Sequence, residues 1–290
     1  MKVAFLVPAP DFHEAWDWAF DVEAAALVAA GMEVEARPWT EPGDLAWFDL
    51  VLPLIVWGYH LRFAEWHALL DRMEALTLPV VNPVALLRWN SDKSYLAELE
   101  AKGVPTVSTR LTDALTEQDL REARKAFASD TLVIKPPISA SADGTHKICQ
   151  GDSVPIDARG RRMLIQPWMA AITDTGEYSL MLFHGKLSHA IVKRPRAGDF
   201  RVQPHLGGSE RPCDPPPGAE ALARAALAAA PAEAAYARVD MIADEAGQLR
   251  IMELELIEPA LWLDHAPDGG TGFAAAIVSA ALRHRASSAP

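Results

Sequence analysis

The stretch that decides the fold reads Ala237-Arg-Val-Asp-Met-Ile-Ala243, then Asp244-Glu-Ala-Gly-Gln248, then Leu249-Arg-Ile-Met-Glu-Leu-Glu-Leu-Ile257. Both flanking segments alternate with a period of two residues, as half-buried strands do. Gly247 lies where a hairpin turn needs a residue that tolerates positive φ. The stretch therefore predicts two antiparallel strands joined by a short turn.

This hairpin gathers acidic side chains on one face. If the turn is centred on the peptide bond after Ala246, Asp240 lies opposite Glu253. In the same register Arg238 lies opposite Glu255. Directly opposed Cβ atoms are about 5 Å apart, and like charges at that separation are destabilising unless cations accompany them. Three carboxylates at this density suit Mg²⁺, which prefers carboxylate oxygens together with substrate phosphates.

A solvated outer face of the strand pair, with one Arg–Glu ion pair, is the alternative interpretation. A one-residue change of register would also move the charges of one strand to the other face. The apolar residues around the charges favour a strand deep in the protein. These residues are Ile251, Met252, Leu254, Leu256 and Ile257.

Upstream of the hairpin, four cations occur in turn or strand contexts: Lys93, Lys135, Lys193 and Arg201. Any one alone is typical of an exposed surface cation. Lys135 differs because it ends an apolar strand, where burying an ammonium without an anionic partner is costly. The small-residue loop Ser139–Thr145 follows, and its backbone amides could surround an anion. The sequence has no P-loop, dinucleotide-binding, zinc-hydrolase or serine-hydrolase motif.

The N-terminal segment predicts a different architecture. Near-continuous apolar strands alternate there with helices, which indicates a parallel sheet covered on both faces. The strands are predicted at Met1–Val7, Met32–Ala36 and Leu50–Val56, and the helices at Ala15–Ala30 and Phe63–Ala75. A later short strand is predicted at Thr106–Arg110. From Arg162 onward strands joined by tight turns prevail. The fold class is therefore α/β, with an α+β C-terminal part.

Composition excludes several classes of function. The chain has 290 residues and a formal net charge of −12, which argues against nucleic-acid binding, because that affinity comes largely from cations that neutralise phosphates. The most apolar run, Leu50–Trp57, contains Pro53 and is far shorter than the roughly 20 residues that cross a bilayer. The N-terminus lacks the pattern of a signal peptide. We expect a cytoplasmic protein with no membrane partner.

In this order along the chain, these motifs resemble the ATP-grasp superfamily, within the group of glutathione synthetase and D-alanine–D-alanine ligase. Trp89-Asn-Ser-Asp-Lys93, Gly176-Glu-Tyr-Ser179 and Glu253-Leu-Glu-Leu-Ile-Glu-Pro259 are most similar to its D-cycloserine synthetase branch. The resemblance implies a Rossmann-like pre-ATP-grasp domain for substrate at residues 1–88. A central lobe at 89–168 and a C-terminal lobe with the metal site at 169–290 would clamp ATP.

The resemblance also implies roles for individual residues. Nucleotide contacts are implied for Lys93, Lys135, Ser139, Ser141, Gly144, Gln166, Pro167, Trp168, Met169 and Glu177. Metal binding is implied for Asp240, Glu253 and Glu255, and catalytic roles for Lys193, Arg201 and Arg238. Two positions depart from the family pattern, because Glu255 stands where Asn is usual and Gln166 where Glu is common. Arg201-Val-Gln-Pro-His-Leu-Gly-Gly208 resembles the Arg-Gly-Asn-x-x-x-Gly-Gly loop of glutathione synthetases.

The implied activity is ATP-dependent ligation of a carboxylate to a nitrogen through an acylphosphate, giving ADP and phosphate. The substrate would be small and amino-acid-like, and the reaction could be an intramolecular cyclisation. ATP and Mg²⁺ are the implied cofactors, with two ions expected and Mn²⁺ as a substitute. A catalytically silent ATP-binding protein and a small-molecule kinase are the alternatives, and a homodimer is left open.

Substrate selection is assigned to loop tips. Residues after the first and third predicted strands lie where open α/β sheets bind ligands, outside the carboxyl ends of the strands. These residues are Asp11, His13, Glu14, Trp57, Tyr59 and His60, and His205 in the Arg201 loop joins them as a candidate. Ordinary loop residues with a hydrophobic plug are the alternative interpretation.

Overall fold

The computed structural model describes residues 1–203 and 206–287 of the chain, and it confirms the predicted α/β unit at the N-terminus. Three parallel strands, β1 (Lys2–Val7), β2 (Glu33–Pro38) and β3 (Leu50–Leu52), form a sheet in the order β2-β1-β3. The third strand is shorter than the predicted Leu50–Val56. Pro53 follows it directly, and because proline has no N–H to donate, pairing ends there.

Four helices share buried cores with this sheet. They are α1 (Asp17–Ala29), α2 (Phe63–Ala75), α3 (Val84–Asn90) and α8 (Thr271–Ser287), the last of which comes from the C-terminal end of the chain. Phe5, Leu27, Tyr236 and Phe273 share one buried core, so the N-terminal unit packs directly against the C-terminal part. This packing holds the loops after β1 and β3 next to the end of the chain that carries the acidic hairpin.

A second sheet follows α4 (Tyr95–Ala101). Its four strands, β4 (Arg110–Thr112), β5 (Leu132–Lys135), β6 (His146–Ile148) and β7 (Met163–Pro167), pair antiparallel in the order β4-β7-β5-β6, and α5 (Glu117–Phe127) lies between β4 and β5 in the chain. The strand predicted at Thr106–Arg110 is displaced. Thr106 instead forms an isolated parallel bridge with Ile251, and regular pairing begins only at Arg110.

The third sheet carries the decisive hairpin. Its five strands are β8 (Glu177–Phe183), β9 (Lys186–Arg194), β10 (Ser209–Pro212), β11 (Tyr236–Ala243) and β12 (Leu249–Glu255), in the order β10-β9-β8-β11-β12. Two helices, α6 (Ala171–Asp174) and α7 (Ala219–Ala228), complete this part of the chain. Each sheet falls within one of the three ranges proposed as domains, and the boundaries of those ranges stay a prediction.

The hairpin has both predicted acidic pairs, although its turn and its register near the turn differ from the prediction. Asp240 pairs with Glu253 and Arg238 with Glu255, as predicted. Nearer the turn, Met241 pairs with Ile251, so the turn is centred on Ala246 itself and not on the peptide bond after it. A β-bulge at Met252 supplies the extra residue that restores the predicted register at the acidic end.

Within residues 1–203 and 206–287, no helix combines the length and the apolar character that crossing a membrane would require.

Candidate active site

The acidic hairpin lies inside the protein. Asp240 is only 3 % exposed and Arg238 only 8 %, while about a quarter of the side chains of Glu253 and Glu255 remains exposed. β11 is flanked by β8 on one side and β12 on the other, so water cannot reach it from an edge. The interpretation of this face as a solvated outer surface is therefore wrong for β11.

A buried ion network occupies this face, and it uses three strands. Arg238 donates from Nε to Asp240 Oδ1 at 3.0 Å and from Nη2 to Asp240 Oδ2 at 2.9 Å, and it also donates to Glu255. From β9, Lys193 Nζ lies 3.1 Å from Asp240 Oδ2 and 2.5 Å from Glu177 Oε1. Two of the three cations predicted to be catalytic, Lys193 and Arg238, therefore hold three carboxylates in fixed positions.

Backbone features on β8 fix the network in place. Ser179 donates from Oγ to Asp240 Oδ1 at 2.6 Å, because these two residues are directly paired across β8 and β11. Just before β8, Gly176 has φ +88°, and a Cβ there would lie 2.4 Å from the carbonyl oxygen of Lys193. Only glycine therefore allows β8 and β9 to approach closely enough for the ion pair between Glu177 and Lys193.

The three carboxylates of the network differ in the direction in which their pKa values are shifted. Burial raises the pKa of Asp240, but Arg238 and Lys193 outweigh burial and hold that pKa well below its usual range. Burial raises the pKa of Glu255 to about 7, although Arg238 opposes the rise. Burial likewise raises the pKa of Glu177. The cations present therefore satisfy Asp240 fully and Glu255 only in part.

Two lysines approach from the central part of the chain, and they differ in their partners. Lys93 Nζ lies 3.0 Å from Glu253 Oε1, and it also donates to the carbonyl oxygen of Ser139. Lys135 is only 9 % exposed, and no carboxylate of the described residues forms an ion pair with it. Burial lowers the pKa of Lys135, which is expected of a buried ammonium that lacks an anion.

The small-residue loop folds back onto the end of β5. Ser139 donates from Oγ to the carbonyl oxygen of Pro136 at 3.0 Å. Ser141 has φ +52° and Gly144 φ +63°, and a Cβ at Gly144 would lie 2.8 Å from the Pro136 ring. The backbone N–H of Lys93 donates to the carbonyl oxygen of Pro137 at 2.8 Å. The loop, Lys93 and Lys135 therefore form one connected structure.

The segment implied to hold adenine lies at the end of β7. Gln166 donates from Nε2 to Thr109 Oγ1 at 2.9 Å, so its amide already has a partner. Pro167 ends the strand, and Trp168 carries Lys147 Nζ over its ring at 3.6 Å. Met169 packs against a small buried cluster that includes Ile242. Adenine contacts by this segment stay a prediction.

Arg201 does not join the ion network. It donates from Nε to Asp199 Oδ1 at 3.1 Å and from Nη2 to Asp199 Oδ2 at 3.0 Å, and this fork lowers the pKa of Asp199. With Phe200 and Lys147, Arg201 lines an open groove of about 490 Å³ between the central and C-terminal parts. His205, proposed for substrate binding, lies outside the described residues.

Magnesium fits this donor set, although no cage is preformed. Among the described residues, no three acidic, histidine or cysteine side chains are gathered closely enough to hold a metal ion on their own. Each predicted ligand is instead paired with a cation: Asp240 with Arg238 and Lys193, Glu255 with Arg238 and Glu253 with Lys93. Magnesium needs only one or two carboxylates when phosphates supply the remaining ligands.

The substrate candidates of the N-terminal unit lie at the junction with the C-terminal part. Trp57 donates from Nε1 to the backbone oxygen of Glu258 at 3.1 Å, and Tyr59 is buried. Asp11 forms an exposed ion pair with Arg62 at 3.3 Å, and His13 is exposed. These positions are compatible with a substrate pocket, and their role stays a prediction.

Three residues that the sequence analysis left unassigned belong to this region. Ser179 could have been found, since it lies two residues after Glu177 on the same face of one strand. Glu258 has its pKa raised well above the usual value by burial and by Glu255. Trp262 places its ring 5.3 Å from the Arg238 guanidinium. The burial of the last two depends on packing against other segments, which no local pattern reveals.

Comparisons with known proteins agree with this geometry. Residues 4–82 match the family described as the D-cycloserine synthetase DcsG, N-terminal domain. The cycloserine biosynthesis protein DcsG of Streptomyces lavendulae is 30 % identical over 273 residues, which are 87 % of this chain and 90 % of that protein. The chain belongs to the DcsG family of ATP-grasp ligases.

Solved structures extend the similarity to the whole fold. The crystal structure of D-cycloserine synthetase DcsG superposes on this DcsG-family chain with a TM-score of 0.82 and 26 % identity, over 98 % of this chain and all of that one. D-alanine–D-alanine ligase from Bacillus anthracis superposes with a TM-score of 0.73 and 17 % identity over the full length of both chains. The predictions of an ATP-grasp fold and of a ligase are confirmed.

Proposed function

We propose that this ligase uses ATP to convert the carboxylate of a small amino-acid-like substrate into an acylphosphate, which a nitrogen nucleophile then converts into an amide-type bond. ADP and phosphate are the other products. Membership of the DcsG family supports ligation, and an intramolecular cyclisation is the form that this similarity favours. The observation that carries the proposal is the buried Lys135, whose missing anionic partner is the one that a nucleotide phosphate would supply.

The nucleotide would lie between the central and C-terminal parts. Lys93 and Lys135 would contact its phosphates from one side, and the Ser139–Thr145 loop, with Ser141 and Gly144, would cover them. Glu177 would lie toward the ribose. Adenine would lie against the end of β7, at the residues Gln166, Pro167, Trp168 and Met169.

Two Mg²⁺ ions, for which Mn²⁺ could substitute, would be held by Glu253, Glu255 and Asp240 together with the phosphates. The ions would neutralise charge on the phosphates during transfer. Lys193 and Arg238 are fixed beside Asp240, so they would stabilise the developing charge without rearranging. Arg201 would have to leave Asp199 to contribute. In this scheme no side chain acts as a nucleophile.

Product analysis tests the proposal. The purified protein is incubated with ATP, Mg²⁺ and a panel of small amino acids, with O-ureido-D-serine among them, and phosphate release is recorded beside the mass of each product. We expect release of ADP and phosphate together with loss of one water from the joined reactants. A stable phosphate ester would identify a kinase, and nucleotide binding without turnover would identify a silent ATP-binding protein. Light scattering on the same sample tests the homodimer.

A further inference from the structure

Gln166 and Thr109 form a polar pair at the end of the central sheet. Gln166 is only 5 % exposed, and its Nε2 atom donates to Thr109 Oγ1 at 2.9 Å. Arg110 pairs with Ile165 across β4 and β7, so Thr109 lies directly opposite Gln166, one position beyond the regular pairing. The hydrogen bond between the two side chains is therefore set by the register of the sheet.

The register also shows on which face of the central sheet this pair lies. Gln166 pairs with Val133 across β7 and β5, and Lys135 follows Val133 by two residues. Because directly opposed residues and residues two apart share a face, Gln166 and Lys135 lie on the same one. The opposite face contributes Ile134 and Ile165 to the buried cluster that includes α5. The Gln166 amide therefore lies on the same side of the sheet as the buried lysine proposed to contact phosphate.

A count of protons fixes which way the Gln166 amide points. The Thr109 hydroxyl has one proton, and its Oγ1 atom donates to the carbonyl oxygen of Val107 at 2.8 Å. Only lone pairs then remain to face Gln166, so the amide must offer its donor. Rotating the amide by 180° would place Oε1 against Oγ1 with no proton between the two oxygens. Among the described residues, no group donates to Gln166 Oε1, and this atom is not sealed from solvent.

The orientation matters because glutamine can bind either of two classes of purine. Its Oε1 atom accepts from an exocyclic amino group, whereas its Nε2 atom donates to an exocyclic oxygen. A glutamate at this position, which is the common residue in the resemblance, can only accept when ionised and needs no such orientation. In this chain the partner of the Gln166 amide therefore decides which purine the site can bind.

We propose that Thr109 is a positioning residue, which orients the Gln166 amide so that the site accepts a 6-aminopurine nucleotide and rejects a 6-oxopurine nucleotide. Gln166 Oε1 accepts a hydrogen bond from the exocyclic amino group of adenine. A 6-oxopurine brings its O6 atom against Oε1, and two acceptors then lose water without gaining a hydrogen bond. This inference rests on the proposed function, because it needs the nucleotide base at the end of β7.

Calorimetric titration with ADP and with inosine diphosphate (IDP), each with Mg²⁺, tests the inference without a known carboxylate substrate. IDP carries an oxygen in place of the 6-amino group of ADP. We expect the wild-type protein to bind ADP at least about tenfold more tightly than IDP. Thr109→Val keeps the shape of the side chain and removes the hydroxyl, so the amide can rotate. In this variant the two affinities should lie within about threefold of each other.

Three further variants separate orientation of the amide from stability of the sheet. Thr106→Val is the matched control, because Thr106 Oγ1 is buried and has no hydrogen-bond partner among the described residues. It should keep the wild-type preference for ADP. Thr109→Ser retains the hydroxyl and should restore most of that preference. Gln166→Glu removes the amide that Thr109 orients, so adding Thr109→Val to it should change the preference no further.

Each result supports or overturns the role of Thr109. Equal binding of ADP and IDP by the wild-type protein would overturn it, and so would a Thr109→Val variant that keeps the tenfold preference. A parallel loss of both affinities in Thr109→Val would also overturn it and assign Thr109 to the stability of the sheet alone. If the wild-type protein binds neither nucleotide, the nucleotide site itself is excluded, and the proposed function falls together with the role of Thr109.

Discussion

Two regions of the molecule place cations among apolar residues, and they treat them in opposite ways. On the C-terminal sheet, Lys193 and Arg238 are buried together with the carboxylates that neutralise them. On the central sheet, Lys135 is buried at the end of β5 without an ion pair to any described carboxylate. In the first region each of the two cations is neutralised within the folded chain. In the second region the described residues offer Lys135 no ion pair.

The difference follows from the cost of burying charge. A buried ion pair with good geometry offsets its loss of hydration, whereas an isolated buried ammonium does not. The pKa values show this directly. Burial lowers the pKa of both lysines, but Asp240 and Glu177 outweigh burial at Lys193 and raise its pKa, while the pKa of Lys135 stays lowered.

The largest effect is expected from Asp240→Asn, which disrupts the buried ion network of the C-terminal sheet. The amide cannot neutralise Arg238 and Lys193, so two buried cations lose their shared partner. We expect ATP turnover to become undetectable and the free energy of unfolding to decrease by about 3–5 kcal/mol. Urea unfolding and ADP release measure the two effects.

Glu253→Gln is the matched control for this variant. It removes a predicted metal ligand that is a quarter exposed and whose cation, Lys93, keeps a second partner at Ser139. Turnover should fall sharply while stability changes by less than about 1 kcal/mol. Wild-type turnover in Asp240→Asn would contradict the assignment of Asp240 to the metal and phosphate site.

A second pair of variants, Lys135→Met and Lys193→Met, sharpens the comparison. Methionine keeps much of the lysine stem and removes the charge. Lys193→Met leaves Glu177 buried without its cation, so stability should decrease by about 3 kcal/mol. Lys135→Met removes a charge that has no partner, so stability should be unchanged or higher.

Both lysine variants should lose activity, but they should differ in how strongly they bind nucleotide. Because ATP would neutralise Lys135, we expect KM for ATP to increase at least about tenfold in Lys135→Met, which corresponds to 1.4 kcal/mol. An ATP analogue should raise the Tm of the wild-type protein and have a smaller effect on that of Lys135→Met. A decrease in the stability of nucleotide-free Lys135→Met as large as that of Lys193→Met would show that Lys135 already has an anionic partner.

The acidic pairs of the hairpin could be predicted from the sequence, because the alternation of side chains along a strand is a local property. The two pairs Asp240–Glu253 and Arg238–Glu255 follow from alternation on each side of a turn, and the structure has both. The bulge at Met252 could not be predicted, since an irregular ladder depends on the neighbouring strand and on Thr106, which bridges to Ile251. The predicted turn centre lies half a residue beyond the true one at Ala246, and the bulge at Met252 shifts the pairing by the same amount. The two errors cancel, so the acidic pairs are predicted correctly.

Features that depend on packing between distant segments were not predicted. The short helix Val84–Asn90 was missed because its seven residues show little periodicity of their own. Glu258 is half-buried, and its backbone oxygen accepts a hydrogen bond from Trp57, which lies about 200 positions earlier in the chain. The sequence motif predicts a role for Arg201 but not its ion pair with Asp199. The contacts of a loop side chain depend on the backbone conformation of the loop, which the motif does not specify. Local patterns thus indicate which charges matter, and tertiary packing decides which are neutralised.

The smallest expected effect concerns Glu255, the carboxylate of the C-terminal sheet whose pKa burial raises despite its ion pair with Arg238. Burial raises the pKa of Glu255 to about 7 in the folded protein, against an ordinary value of 4.5. Between these two values the folded protein holds a proton that the unfolded chain has released, so without metal its stability decreases as pH rises from 4.5 to 7. Magnesium requires the deprotonated carboxylate, and its binding should therefore strengthen over the same interval and level off above it.

Calorimetric titration of Mg²⁺ in the presence of an ATP analogue measures this dependence. A single proton with this pKa predicts that binding is about tenfold weaker at pH 6 than at pH 8. Glu255→Gln cannot lose a proton, so its magnesium affinity should be lower at pH 8 and nearly independent of pH. If the wild-type protein bound Mg²⁺ equally well at both pH values, or if the variant kept the tenfold difference, another group would be titrating. Glu255 would then form a structural ion pair with Arg238, and the carboxylates of the C-terminal sheet would need no metal ion.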